Sequence, residues 1–279
     1  MPDISLIVIG AGVLGLVIGS FLNVVIHRYP KMLEQQWAVE VASYQGQEAP
    51  QGPTYNLMTP RSACPHCGHQ IKWYENIPVV SFLVLRAKCA SCGTGISWRY
   101  PLIELATAGL FAGCVWRWGL TPSAGVWAVF SAMLLTMATI DWDTTLLPDD
   151  LTLPLVWLGL CASALGWIQL PLEQALWGAV VGYMSLWSIY WLFKLATGKE
   201  GMGYGDFKLF AALGAWLGWQ ALPAVILMAA MIGSVVGITM KFNQSLREGR
   251  YVPFGPFLAL GGFTALAVGA DRMLEWVGF

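Results

Sequence analysis

Charge is what this sequence has least of. Only 11% of its 279 residues are Asp, Glu, Lys or Arg and 57% are hydrophobic, whereas an ordinary soluble domain carries roughly 25% charged residues. A chain this poor in polar surface cannot cover itself for life in water, which excludes a soluble globule. The formal net charge of −1 comes without any basic domain or arm, which excludes a protein that tracks a nucleic-acid backbone. No glycine-rich loop stands between a strand pattern and a helix pattern, so a Rossmann-like nucleotide site is not expected. No basic segment precedes the first apolar run behind Asp3, and no small-residue cleavage site ends it. That run is expected to be a retained span rather than a removed signal.

What is present is apolar sequence in blocks of membrane-spanning length. The expected fold is an all-α polytopic membrane protein of about eight transmembrane helices, at 4–26, 101–118, 122–140, 151–169, 174–193, 207–220, 222–240 and 253–274. The segment 207–220 is the short one: Phe207 to Gln220 rises only about 20 Å against a hydrocarbon core of roughly 30 Å. Basic residues decide the orientation, since they gather on the cytoplasmic side. With the N-terminus outside, Arg28, Lys31, Arg61, Lys72, Arg86, Lys88 and Arg99 fall inside. So do Lys194, Lys199, Lys208, Lys241, Arg247 and Arg250, which makes thirteen of the fifteen, with Arg117 and Arg272 outside. A re-entrant 207–220 would put the 241–250 loop on the wrong side, so it is read as a short span in a thinned or distorted bilayer.

Two features are chemically specific. The first is Cys64-Pro-His-Cys67 followed after 21 residues by Cys89-Ala-Ser-Cys92. Two such knuckles can bring four thiolates to one tetrahedral, structural zinc ion. Disulfides are the alternative, which a reducing cytoplasm disfavours. His66 and His69 are then surface residues, and Cys114 and Cys161, alone within spans, are packing residues. Between the knuckles, 73–78 and the apolar run 79–85 are expected to form a small lobe organised by the metal, because so short a segment lacks a sufficient core.

The second feature is the placement of acids, which are costly in hydrocarbon and so are functional candidates. Asp141 and Asp143 follow the third span in Ile140-Asp-Trp-Asp, and Asp206 opens the sixth in Gly203-Tyr-Gly-Asp206. One span runs outside to inside and the other returns, so both acids reach the same cytoplasmic level. Two carboxyls sharing a site cannot both ionise cheaply; one keeps its proton as an acid while the other activates water. The glycines beside Asp206 leave room for an extended peptide. Asp143 reads equally as a solvated loop residue, and Asp149 and Asp150 as helix caps for the fourth span.

These stretches, with Gly19-Ser-Phe-Leu-Asn-Val-Val-Ile-His-Arg28, Arg99-Tyr-Pro-Leu-Ile-Glu104, Leu-Pro148-Asp and Pro253-Phe-Gly-Pro256, run from end to end of the chain and resemble the type IV prepilin peptidases. In that family the first Asp of Ile-Asp-x-Asp and the Asp of Gly-x-Gly-Asp are the catalytic pair, which implies Asp141 and Asp206 here. The resemblance further implies a bacterial inner-membrane enzyme that removes a short basic leader from prepilins and pseudopilins, after a glycine and ahead of the substrate's hydrophobic helix. It also implies methylation of the new N-terminal residue by S-adenosylmethionine, an activity placed around the cysteine lobe and assigned to no single residue. The implied organisation is a first transmembrane helix at 1–27, a cytoplasmic segment with the zinc lobe at 28–100, and a peptidase domain at 101–279.

The remaining polar residues have plainer readings. Asn23 and Ser20 fit interhelical hydrogen bonds better than substrate contacts. Glu104 either pairs with Arg99 or faces the active cavity. Trp216 and Trp219 fit anchors at the outer membrane boundary. Intramembrane acids also mark proton-coupled transporters, but those hold them near the midplane, and no inverted repeat relates the halves of this chain. A non-enzymatic assembly scaffold is the third reading, and the least supported.

Overall fold

A computed structural model describes residues 4–48, 52, 54–243 and 252–277. Asp3, Arg247 and Arg250 lie outside the described residues. Ten α-helices and no named strand occur among them: α1 Ile4–Tyr44, α2 Val80–Val84, α3 Arg99–Trp118, α4 Pro122–Thr144, α5 Asp149–Ala164, α6 Leu172–Thr197, α7 Tyr204–Leu217, α8 Leu222–Phe242, α9 Gly255–Val268 and α10 Ala270–Val277. Four are long and apolar enough to cross a membrane: α1, α4, α6, and α8 with the short turn before it. The chain divides within α4 into two compact units, Met1–Ala128 and Val129–Phe279.

In the first unit α1 lies against α3. The approach is close because Gly15 and Gly19 face it: a methyl group at Gly15 would stand 2.7 Å from the Cα of Ala108, and one at Gly19 2.7 Å from that of Glu104. Small residues four apart let helix backbones meet where no water exists to drive them together. Polar bonds then fix the register. The Asn23 side-chain amide donates to the Tyr100 carbonyl at 3.1 Å. The Glu104 carboxylate accepts the Val79 N–H at 2.7 Å and bonds to Ser20. Glu104 thus helps to hold α1, α3 and the start of α2 together.

The first helix does not end at residue 26 but continues through Pro30 to Tyr44. Residues 31–43 are mostly good helix formers, which a search for apolar spans passes over. A close at Gly46 stops it: Gly46 has φ +65° and Gln47 N–H reaches back to the Ala42 carbonyl, a Schellman-type ending. Arg28, 7% exposed, donates to the Asn56 carbonyl at 3.0 Å and lies over the Tyr55 ring. It thereby ties the helix to the start of the cysteine lobe.

In the second unit the short helix α7 is the centre. Phe207, Leu209, Phe210, Leu213 and Trp216 are all buried, with α5, α6 and α9 packed around them. A 14-residue helix is tolerated because protein rather than lipid surrounds it. Gly178 of α6 and Gly214 of α7 meet backbone to backbone, and a methyl group on either would run into the other's carbonyl oxygen. Trp216 is 1% exposed and its indole N–H donates to the Leu155 carbonyl at 2.8 Å. It is a core residue rather than the boundary anchor expected of it; Trp219 is half exposed. The predicted span 253–274 is divided at Gly269, which has φ +91°, into α9 and the short α10.

Because no side chain stands between Gly178 and Gly214, Gly214→Val is expected to cost about 2–3 kcal/mol through overpacking. Thermal unfolding in detergent measures this, with Gly113→Val as the control, since Gly113 has open space around it.

Candidate active site and metal centre

Asp141 lies in the last turn of α4, 4% exposed. Its Oδ2 accepts the Gly255 N–H at 2.9 Å. Gly255 opens α9, where the first backbone N–H groups have no partner within the helix, so the carboxylate satisfies one of them and faces the positive end of the helix. Asp206 is the third residue of α7, 7% exposed. Its carboxyl takes a backbone hydrogen bond from Gly203, while Oδ1 is buried with no partner. The two carboxyls are close enough to interact electrostatically. Residues 65 positions apart in sequence therefore share one site.

Glycines make the site possible. A methyl group at Gly255 would stand 2.6 Å from Asp141 Oδ2 and 3.1 Å from Leu147 Cδ1, and one at Gly205 would stand 2.5 Å from Leu147 Cβ. Leu147, in the turn between α4 and α5, is thus wedged between Gly205, next to Asp206, and Gly255, which binds Asp141. Sequence reading missed this pair of contacts. Its only signal was the Gly-Pro step of Pro253-Phe-Gly-Pro256, which favours a helix start. Asp143 is half-buried two positions beyond Asp141. Asp149 and Asp150 occupy the first turn of α5, but the N-cap position itself is Pro148, and Asp149 pairs with Lys208 instead.

Gly255→Ala is expected to push Asp141 off its bond and lower turnover by about 10- to 100-fold, the scale of a sub-ångström to 1 Å misplacement. Steady-state kinetics beside Gly109→Ala, where the surroundings are open, measures it.

The cysteine lobe is built from two copies of one turn. Cys64 N–H bonds to the His69 carbonyl and Gly68 N–H to the Cys64 carbonyl; in the second copy Cys89 N–H bonds to Thr94 and Gly93 N–H to Cys89. Gly68 at φ +72° and Gly93 at φ +71° take the left-handed conformation that each turn requires. The four sulfurs lie within 4.8 Å of one another, with Cys64 to Cys92 and Cys67 to Cys89 both at 3.9 Å. Thiolates around a tetrahedral ion at 2.3 Å stand about 3.8 Å apart, so this set fits one metal ion, and no two sulfurs are at bonding distance. His69 bonds to Glu75 at 3.0 Å, His66 is exposed, and Cys114 is buried.

An apolar helical body that carries two buried carboxyls at helix ends, near enough to interact, is the arrangement of a membrane-embedded aspartyl peptidase. Residues 13–118 match the bacterial peptidase A24 N-terminal domain, and residues 128–238 match the type IV leader peptidase family. A prepilin leader peptidase/N-methyltransferase of Pseudomonas aeruginosa is 52% identical over 270 residues, covering 95% of this chain and 93% of that protein. Proteins of the same description from Stutzerimonas stutzeri and Aeromonas salmonicida are 53% and 51% identical, covering 98% and 94% of this chain and 94% and 90% of theirs. No solved structure matches the chain. The chain belongs to the type IV leader peptidase family.

Proposed function

We propose that the chain removes the leader of type IV prepilins and pseudopilins with Asp141 and Asp206 as the catalytic pair, and then methylates the new N-terminal residue. The observation that carries the first half is the meeting of two buried carboxyls beside glycine-lined backbone. One carboxylate takes a proton from water, whose oxygen adds to the scissile carbonyl carbon, while the other carboxyl protonates the carbonyl oxygen. Collapse of the tetrahedral intermediate breaks the C–N bond, and a carboxyl supplies the proton that leaves with the amine. The water oxygen ends in the leader's new carboxylate. Proton-coupled transport is not favoured: Asp141 lies in the last turn of α4 and Asp206 in the first of α7, whereas a transporter holds its acids at the midplane.

The proposed topology is eight spans, α1 and α3 to α9, with the N-terminus outside and with the pair and the cysteine lobe on the cytoplasmic face of a bacterial inner membrane, the side on which basic residues gather. A substrate's basic leader, held inside by its charge, then presents the scissile bond at the level of the pair. Zinc is the ion for four thiolates, in a structural role, since a closed set leaves no position for substrate. The organisation that goes with this is 1–27 as first helix, 28–100 as methyltransferase-associated segment and 101–279 as peptidase. N-methyltransferase in the relatives' descriptions implies S-adenosylmethionine as donor. Incubating the purified protein with a prepilin and S-adenosylmethionine, then weighing the product by mass spectrometry, tests the proposal. Loss of the leader followed by gain of a methyl group is expected; an unprocessed prepilin overturns it.

A further inference from the structure

We propose that Asp149 and Lys208 form a latch that positions the two carboxyls for cleavage without touching substrate, an inference that rests on Asp141 and Asp206 being the catalytic pair. Lys208 Nζ stands 2.6 Å from Asp149 Oδ1 and 2.7 Å from Oδ2, a two-pronged ion pair across 59 positions of sequence. It joins the first residue of α5 to the fifth of α7. Asp149 is the first residue of α5, two positions after the wedged Leu147, and Lys208 is two positions after Asp206. Side chains two apart on a helix do not share a face, so the ammonium reaches Asp149 while the Asp206 carboxyl points into the site.

The same two helices are bonded once more, two turns further along α7, where the Trp216 indole donates to the Leu155 carbonyl at 2.8 Å. Packing already holds the core-facing side of α7, and the two bonds tie it to α5 at points two turns apart. The latch is the nearer of the two to Asp206. The latch also holds the turn that carries Leu147 against Gly205 and Gly255, and Gly255 holds Asp141. Both carboxyls therefore depend on a pair that neither of them contacts.

The side chains of Lys208 and Asp149 are 24% and 55% exposed, and exposed ion pairs contribute little to stability. Loss of the latch should therefore appear in turnover and not in unfolding. The full-length protein in detergent, cleaving a prepilin, is compared with Asp149→Asn, Lys208→Met, Lys208→Arg and the double variant Asp149→Asn/Lys208→Met. Each neutralising single variant is expected to lose about tenfold in kcat with KM within about twofold. The unfolding midpoint is expected to hold. Lys208→Arg, which can still grip a carboxylate two-pronged, is expected to recover most of the rate, and the double variant to lose no more than either single one. Independently of activity, amide exchange at residues 147–149 and 204–208 is expected to quicken in Asp149→Asn. Normal kcat in the single variants, multiplied losses in the double one, rates that fall in step with the midpoint, or unchanged exchange each overturn the latch. An intact chain that leaves prepilin whole, or an Asp206→Asn variant that cuts as well as the parent, overturns the protease reading instead, and the exchange data still judge the latch.

Discussion

Asp206→Asn is expected to lower leader cleavage by about 10³-fold or more while leaving the protein folded and inserted. The size follows from the chemistry: a positioned acid or base contributes roughly 10²–10⁴-fold, and an amide at this position can neither take the proton of water nor return one to the leaving amine. Asn keeps the shape of Asp in a site where Oδ1 is buried without a partner, so folding is spared. Asp141→Asn is expected to lose as much, because the pair acts as a unit, and the double variant to lose little beyond either single one. Cleavage of a prepilin by purified protein, scored with the unfolding midpoint of each variant, checks both statements. Full activity in either single variant contradicts the assignment.

The second large effect is expected at the cysteines. Structural zinc sites contribute about 10–16 kcal/mol of apparent binding energy that is also folding energy. The lobe has little else to hold it: Phe82 is buried, but Leu83, Val84 and Trp73 are all largely exposed. Cys64→Ser or Cys89→Ser is therefore expected to lose the bound metal and to open residues 60–98 to proteolysis. Methyl transfer is expected to disappear with the lobe while leader cleavage persists, since both proposed catalytic carboxyls and the parts of α4 and α7 that carry them lie in the unit Val129–Phe279. Metal analysis, limited proteolysis and the two activities measured side by side test this. A variant that keeps its fold and methyl transfer without metal contradicts it.

How much of this was legible in the chain depends on the range of the interactions. The knuckles were readable because their chemistry is local: Cys, two residues, Cys and Gly specify one turn, and the turn repeats. The helices were readable because apolar blocks of spanning length allow few other structures in lipid. Asp141 and Asp206 could be matched by depth alone, since helix direction sets where each ends. What escaped reading was long-range. Asp149 looks like a cap from its neighbours, and only the fold shows Lys208 across from it. Trp216 looks like an interface anchor because a short span leaves it near an end, yet α5 covers it and supplies the Leu155 carbonyl. Gly255 carries no chemistry of its own; its value is the space it leaves beside Asp141. The extension of α1 to Tyr44 escaped because helix propensity without apolar length gives no span signal.

The central claim is that two carboxyls distant in sequence sit side by side at the cytoplasmic ends of their helices, and thiol chemistry in native membranes tests it most directly. With Cys114 and Cys161 replaced by Ala and the knuckle cysteines kept, the double variant Asp141→Cys/Asp206→Cys is treated with a short bifunctional thiol reagent, applied from one face of the membrane at a time. The account predicts an intramolecular link between positions 141 and 206, formed from the cytoplasmic side. Two separate adducts that never join, or modification of the two positions from opposite faces, contradict it.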